Sequence, residues 1–310
     1  MGYSTKILWG EGLFLRPQHF QRQDAYHEAR LHDVATSLHP YSWGVQSTQF
    51  DQDALANGVL RATDLKIIFP DGELYSAPQS DELPPSVHLD SLAPGVPEIT
   101  FYLALLPLKD FGGNFSNDAN EIPTTRYSAH SKSTPDLFTD AAQAELTFLK
   151  KSVRLIADTE PRDQFVSVPV VRVRRTATGG FEMDKNFMAP SMSIRATPVL
   201  YLQLRRLLDT LQAKVNALYG FHREPTKNVI EFRSGDIASF WLLHTASTSF
   251  AALSHLFQHP QLHPERLFQE MLRLAGALMT FSKSHTLADL PTYIHDEPGP
   301  GFAILENILR

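Results

Sequence analysis

The sequence contains no cysteine among its 310 residues. This absence excludes disulfide bonds, thiolate metal sites and a cysteine nucleophile, and it is typical of proteins that work in a reducing compartment. The N-terminus also lacks the charged start and apolar core of a signal peptide. We therefore expect a cytoplasmic protein.

Long hydrophobic runs and an excess of positive charge are missing as well. The longest apolar stretch, residues 99–108, is about half of the roughly 20 residues that a membrane helix requires, and Pro107 interrupts it. The formal net charge is -6, whereas nucleic-acid binding needs a clustered positive surface. These features predict a soluble protein with no direct membrane insertion and no nucleic-acid partner.

Motifs for catalysis or metal binding are absent too. The sequence has neither the phosphate-binding G-x-x-x-x-G-K-[ST] loop nor the G-x-S-x-G nucleophile motif. His27 and His32 are five residues apart, whereas two histidines on one face of a zinc-binding helix are four apart. A second histidine group has the spacing of four but is interrupted by prolines; it consists of His255, His259 and His263, with Pro260 and Pro264. We expect no catalytic residues, no cofactor and no metal site.

Residues 43–188 have the pattern of β-strands. The run "VLRATDLKIIF" ends at the turn "PDG", and the alternating run "FVSVPVVRVRR" is followed by "TATGG" and "FEMDKNF", which predicts a hairpin. Regular helices do not separate these runs, as they would in a parallel α/β sheet. The pattern therefore predicts an antiparallel β-sandwich.

From about Thr197 the pattern becomes helical. Apolar residues recur at steps of three and four in a first predicted helix and again in a third that starts at Pro264, with a second helix between Asp236 and Pro260. This spacing suits an intrachain bundle and a seam between protomers equally, and we expect both. The residues of this candidate seam, within the bundle or between protomers, are Leu204, Leu211, Leu267, Leu274 and Leu278.

The N-terminal stretch "WGEGLFLRPQHFQRQDAYHEARLHD" joins an apolar cluster to a helix that Pro17 opens. The cluster is a candidate docking surface for another protein or a second protomer, and packing beneath the sandwich is the alternative. On the helix itself, Phe20 and Leu31 are predicted to be core residues. The chain ends on an apolar segment, "GFAILENILR", which we expect further protein or a partner to cover. The residues of the candidate docking surface are Trp9, Leu13, Phe14 and Leu15.

Several ordered motifs resemble the TssK family, also described as the ImpJ/VasE family, of the bacterial type VI secretion baseplate. Residues 9–21, "WGEGLFLRPQHFQ", are similar to the family's opening signature W-x-E-G-x-x-L-x-P-Q-H-F-Q. Further matches are "YSWGV" at 41–45, "LANGVL" at 55–60, "FPDG" at 69–72 and "YLQLRRLLDTLQAKV" at 201–215.

The resemblance implies a fold and a function. The fold is a β-sandwich shoulder like that of phage receptor-binding proteins, then a helical neck, and then a C-terminal head that is absent here. We accordingly expect a docking segment at 1–18, the shoulder at 19–188 and the neck at 189–310. The implied function is that of a non-enzymatic adaptor that forms a homotrimer and binds the TssF and TssG wedge at the cytoplasmic face of the inner membrane. Contact with the TssJ, TssL and TssM membrane complex would be made through the head.

A phage-type receptor-binding or carbohydrate-binding module is the alternative function. In that role Tyr41 and Trp43 would face solvent and stack on a sugar, whereas an adaptor allows Trp43 to be buried beside Gly44. A hydrolase or metal enzyme is the third class, and it would require bound metal.

Overall fold

The computed structural model describes residues 5–91, 96–116, 124–140, 142–177, 179–222 and 234–310. The chain divides into two compact units, residues 1–183 and 184–310. The sequence pattern places the change from strands to helices nearby, after Met188.

The first unit begins with a long helix and continues mainly as short strands. Its elements are α1 (Pro17–Leu38), β1 (Gly44–Phe50), α2 (Gln52–Ala56), β2 (Val59–Leu60), β3 (Ala62–Ile68), β4 (Leu74–Ala77), β5 (Val87–His88), β6 (Glu98–Leu105), β7 (Phe115–Ser116), β8 (Tyr127–Thr134), β9 (Ala144–Lys151), β10 (Arg154–Ala157), β11 (Val166–Arg175) and β12 (Phe181–Met183).

A four-stranded antiparallel sheet with the order β10-β6-β11-β12 supplies much of the core. Strand β6 is buried on both faces, which fits its predominantly apolar sequence. Strand β11 shifts register between Pro169 and Val171, since proline has no N–H to donate to the ladder. The predicted β11–β12 hairpin is confirmed, and Thr176 N–H donates to Gly180 O at 2.9 Å in its turn.

Three smaller sheets complete the first unit. Strands β1-β3-β4 form an antiparallel sheet whose alternating pattern buries Leu65 and Ile67, and β2 pairs with β5. Strands β8 and β9 pair antiparallel over eight residues each, with β7 parallel to β8. The β8–β9 pair is largely exposed on both faces.

The second unit is built from α3 (Pro198–His222), α4 (Ser234–Gln258), α5 (Pro264–Leu278) and α6 (Pro298–Leu309). The three helices predicted from the sequence are confirmed, because their apolar stripes need one another for burial. Helix α5 begins at Pro264, and Nδ1 of His263 accepts a hydrogen bond from Glu265 N–H at 3.1 Å.

The apolar C-terminal segment forms α6 and packs within its own unit. Phe302 and Leu305 are fully buried, and the Phe302 and Phe268 rings meet edge to face with their centroids 5.3 Å apart. Ile304 remains exposed. The chain itself therefore buries part of the C-terminal apolar segment that we expected further protein or a partner to cover.

The turn between β3 and β4 holds α1 at close range. This turn is the motif "FPDG", and Gly72 closes it with φ +87° and an N–H bond to Phe69 O at 2.9 Å. A Cβ added at Gly72 would lie 2.4 Å from Nδ1 of His32 on α1, which is well inside van der Waals contact. Glycine is therefore required both by the backbone conformation and by the helix above it.

Replacing Gly72 by alanine tests the contact between the β3–β4 turn and α1. Gly72→Ala is expected to lower the free energy of unfolding by about 2 to 3 kcal/mol, because backbone strain adds to the clash with His32. Gly179→Ala is the matched control: Gly179 has the same φ of +87°, and a Cβ added there would meet no atom within 4 Å, so strain alone costs about 1 kcal/mol. Urea unfolding measures both variants.

The double variant Gly72→Ala/His32→Ala separates the two contributions. It removes the clash and should recover the Gly179→Ala level of stability. Equal losses in the two glycine variants would mean that His32 does not hold the turn.

Candidate docking surfaces

The N-terminal segment before α1 presents its large apolar side chains to solvent. Phe14 is 79% exposed, and the other three members of the predicted docking surface are exposed as well. Leu13 N–H donates to Gly10 O at 3.3 Å, and Gly12 has φ +81°, so the segment turns before the helix. These residues therefore do not pack beneath the strands of the first unit, which is the alternative considered above. The exposed members are Trp9, Leu13, Phe14 and Leu15.

The motif "RPQH" builds the start of α1. Pro17 occupies the first helical turn, where its missing N–H costs nothing. Nδ1 of His19 accepts the Arg16 N–H at 3.0 Å, and His19 N–H returns a bond to Arg16 O at 3.0 Å. The ring of Trp9 lies 6.1 Å from the His19 ring, so the docking segment contacts the helix start.

Helix α1 turns its larger apolar side chains away from its own chain. Tyr26 is its one buried residue, and the half-buried positions beside it are mostly small. The expectation that Phe20 and Leu31 are core residues is wrong, because they are 54% and 72% exposed. The outer face of α1, as we define it, consists of Phe20, Asp24, His27, Leu31, Val34 and Leu38, all of which are exposed.

A cluster of charged side chains joins the β3–β4 turn to the base of the β8–β9 pair. Arg126 is 3% exposed, and its Nη1 donates to Asp71 Oδ2 at 2.9 Å and to Leu106 O at 2.7 Å. Its Nη2 donates to Glu73 Oε2 at 2.8 Å, and Tyr127 Oη donates to the same oxygen at 3.0 Å. Each charge in the cluster therefore has a partner of opposite sign, which a buried ion needs.

The pKa values in this cluster follow its contacts. Burial acts to lower the pKa of Arg126, but Asp71 and Glu73 outweigh this effect and raise it. Burial, followed by the charge of Glu73, raises the pKa of Tyr127 to about 12. The tyrosine is therefore a neutral donor throughout the physiological range.

Lys151 extends the cluster to the end of β4. Its Nζ lies 3.5 Å from Glu73 Oε1 and 3.3 Å from Asp81 Oδ1. Asp81 is buried and also accepts the Ser76 N–H at 3.0 Å. Sequence reasoning missed this cluster, because its members come from strands that are far apart along the chain.

In the second unit, four of the five predicted seam leucines are buried in the core of their own bundle, and Leu278 packs against that core. A different apolar surface is exposed on α4, where Ile237, Phe240 and Trp241 are 46%, 46% and 56% exposed. A helix that is apolar on more than one face normally packs on more than one face.

The remaining features concern sugar binding, metal binding and membrane insertion. Tyr41 and Trp43 are half-buried, and Gly44 beside them is buried with φ +121°. Among the described residues, no group of three or more histidine, aspartate and glutamate side chains is arranged to hold a metal. In the same part of the chain, no helix has the length and hydropathy to cross a membrane.

Comparison with known proteins identifies the family. The family described as "Bacterial Type VI secretion, VC_A0110, EvfL, ImpJ, VasE" matches residues 19–310. The chain is 30% identical over 320 aligned residues to the type VI secretion system baseplate component TssK1 of Pseudomonas aeruginosa, covering 100% of this chain and 69% of that protein. The chain belongs to the TssK family of the type VI secretion system.

Solved structures of TssK-containing assemblies agree with this membership. A chain of the TssK-TssF-TssG baseplate subcomplex, determined by cryo-electron microscopy, superposes with a TM-score of 0.88 at 31% identity, over 98% of this chain and 97% of that chain. A chain of the baseplate complex from the type VI secretion system gives a TM-score of 0.92 at 32% identity, over 100% of this chain and 69% of that chain. The fold, with several antiparallel sheets and a helical unit, is thus that of TssK structures.

Two of the TssK-like motifs have a clear structural purpose in this chain. The motif "RPQH" starts and caps α1. The motif "FPDG" supplies both the glycine under His32 and the aspartate that pairs with Arg126. Both motifs therefore serve the placement of α1 and of the β8–β9 pair.

Removing Arg126 tests the charged cluster. Arg126→Met should lower the free energy of unfolding by about 3 kcal/mol, because it removes the buried cation that pairs with Asp71 and Glu73 and leaves only Lys151 beside Glu73. The control is Arg61→Met, which breaks the ion pair with Asp51 and should change the free energy of unfolding far less, since Arg61 is exposed and solvent screens the pair. Urea unfolding of both variants should separate the two losses, and similar losses would contradict the assigned role of Arg126.

Glu28 on α1, near the same cluster, makes the free energy of unfolding depend on pH. Partial loss of hydration raises its pKa, and the nearby charges of Glu73 and Asp24 add to this effect. Because the folded-state pKa lies above the unfolded value, the protonated form stabilises the fold, and this contribution is lost as the pH rises through the folded pKa.

Glu28→Gln is therefore expected to raise the free energy of unfolding at pH 7, by up to about 0.5 kcal/mol. The gain should vanish below the unfolded-state pKa of about 4.3, where both side chains are neutral. Thermal unfolding at several pH values measures it. Glu145→Gln, on an exposed part of β9, is the control and should show no such pH-dependent gain; a gain for Glu28→Gln that persists in acid would contradict the electrostatic origin.

Proposed function

We propose that this chain is a non-enzymatic structural adaptor of the type VI secretion baseplate, which forms a homotrimer and binds the TssF–TssG wedge. The observation that carries the proposal is its match to the TssK-TssF-TssG subcomplex, with a TM-score of 0.88 across nearly all of both chains. A surface built for assembly also accounts for the many exposed apolar side chains better than a catalytic cleft does.

Within this proposal, the first unit is a β-sandwich shoulder and the second a helical neck. Two antiparallel sheets, β1-β3-β4 and β10-β6-β11-β12, each with buried apolar side chains, support the shoulder. The bundle of α3 to α6 supports the neck. The link to the TssJ, TssL and TssM membrane complex, at the cytoplasmic face of the inner membrane, would run through the C-terminal head that the TssK resemblance implies.

The N-terminal docking segment is our candidate for wedge contact. Its four apolar side chains are exposed and stand next to a capped helix, so they are presented on an ordered support. Large apolar anchors on a rigid platform carry most of the affinity in protein interfaces. The segment consists of Trp9, Leu13, Phe14 and Leu15.

The neck is our candidate for contact between the protomers of the proposed trimer. The leucines at 204, 211, 267 and 274 are used by the intrachain bundle, so an additional apolar surface is needed for contact between protomers. Ile237, Phe240 and Trp241 on α4 supply one. We place the neck contact between protomers there.

Phe14→Ala tests the docking segment. The variant should weaken binding to a purified TssF–TssG complex by about 30-fold, which corresponds to the roughly 2 kcal/mol of an interface hot spot. Its mass and unfolding midpoint should not change, because Phe14 is exposed. A binding titration followed by light scattering on the mixture measures affinity and stoichiometry together.

The control is Phe111→Ala, which removes another phenylalanine that is 91% exposed. It should bind the wedge like the wild type. A wild-type chain that remains a monomer and ignores both wedge proteins would overturn the adaptor proposal, and equal effects of the two substitutions would overturn the assignment of Phe14.

A further inference from the structure

The end of α4 carries two histidines one helical turn apart. His255 lies in the last turn of the helix, and His259 follows it with its backbone N–H donating to His255 O at 3.0 Å, as within the helix itself. The two rings lie side by side, with centroids 4.3 Å apart and ring planes inclined by 33°. Histidines four residues apart on one helical face are the pair that binds zinc in helical motifs. Pro260 and Pro264, which interrupt the wider histidine group, come after this pair.

A hydrogen bond of the His259 ring determines which of its nitrogens can bind an ion. Nδ1 of His259 lies 2.9 Å from His255 O. Because a carbonyl oxygen only accepts hydrogen bonds, Nδ1 carries the proton, and Nε2 of the neutral ring keeps its lone pair. Metal-binding histidines commonly donate their other ring N–H to a backbone carbonyl in this way. His259 therefore already has the tautomer of a metal ligand.

His255 can complete the pair by a rotation of its side chain alone. It is exposed, so its ring is able to turn toward a shared ion. Two nitrogens that each bind one Zn²⁺ ion at about 2.0–2.1 Å lie at most about 4.2 Å from each other, and the ring centroids are already 4.3 Å apart. The position at the C-terminal end of α4 also favours a cation, because the helix dipole places partial negative charge there.

We propose that His255 and His259 form a binding site for a divalent transition-metal ion, with Zn²⁺ as the ion that it takes. Imidazole nitrogens suit Zn²⁺, and the two rings supply half of a tetrahedral set that water completes. The site therefore binds Zn²⁺ reversibly and more weakly than a four-ligand structural zinc centre. This proposal departs from our expectation of no metal site, which rested on the prolines in the wider histidine group. It also goes beyond the adaptor function and does not depend on it.

A Zn²⁺ ion at this position fastens the connection between α4 and α5. The same connection holds the residues that precede α3: Ile194 N–H donates to Leu262 O at 3.0 Å, and Arg195 N–H donates to Pro260 O at 2.9 Å. An ion bound by both histidine rings ties the last turn of α4 to the first residue of this connection. Because a ligand that binds only the folded chain stabilises it, Zn²⁺ should raise the unfolding temperature, and EDTA should reverse the rise.

Calorimetric titration of the full chain with Zn²⁺ tests the site. His255→Ala and His259→Ala should each weaken the tightest Zn²⁺ binding about 10-fold or more, since even the loss of a hydrogen-bond partner behind a metal ligand costs about 10-fold. The rise in unfolding temperature on addition of Zn²⁺ should disappear in both variants. His27→Ala is the control, because His27 is an exposed helical histidine whose neighbour His32 is five residues away. It should bind Zn²⁺ like the wild type.

Chemical modification of the wild-type chain locates the ion without any substitution. Diethyl pyrocarbonate reacts with the ring nitrogens of neutral histidines, and mass spectrometry identifies the modified residues. Zn²⁺ should slow the modification of His255 and His259, because the ion occupies their lone pairs. The modification of His27 should proceed at the same rate with and without Zn²⁺.

Three outcomes would overturn the site. The first is a wild-type chain that binds no Zn²⁺, and the second is a double variant, His255→Ala/His259→Ala, that binds Zn²⁺ as tightly as the wild type. The third is protection by Zn²⁺ of other histidines but not of this pair. None of these outcomes affects the adaptor proposal, which the titration with the TssF–TssG complex tests separately.

Discussion

The turn between β3 and β4 is the joint on which the first unit depends. Asp71 pairs with the buried Arg126 at the base of β8, and Gly72 leaves room for His32 of α1 within van der Waals range. Two elements with little burial of their own are thus fixed to one short turn. Neither contact is easily replaced. The approach to His32 requires a residue without a side chain, and the pair with Arg126 requires a buried counter-charge.

The charged cluster explains how an exposed strand pair can keep a defined position. Two-stranded β-structures are marginally stable in water unless something holds them, and β8 and β9 bury few of their side chains. Arg126 and Lys151 at their base bind the carboxylates Glu73, Asp71 and Asp81. The pair is therefore anchored electrostatically at one end, while its far end carries the exposed Phe138.

Local patterns in the sequence predict the elements of this chain well. The strand runs, the "TATGG" hairpin and the three apolar stripes from Thr197 onward all depend on residues close together along the chain, and the structure has the corresponding strands and helices. The Arg126 cluster was not predictable in this way, because Asp71 and Arg126 are joined only when separate strands pack. Phe20 and Leu31 were misassigned for another reason: hydrophobicity shows that a residue needs burial, and it does not show whether its own chain provides the partner.

The thin inner face of α1 bears on how unassembled subunits are treated in the cell. A helix attached mainly through Tyr26, small residues and His32 opens locally at a lower free energy than the whole unit unfolds, since fewer apolar contacts are lost when it detaches. A lone subunit therefore offers proteases an accessible N-terminal region, and any partner that covers the outer face closes it. A partner that binds only the attached helix adds its own binding free energy to the cost of opening.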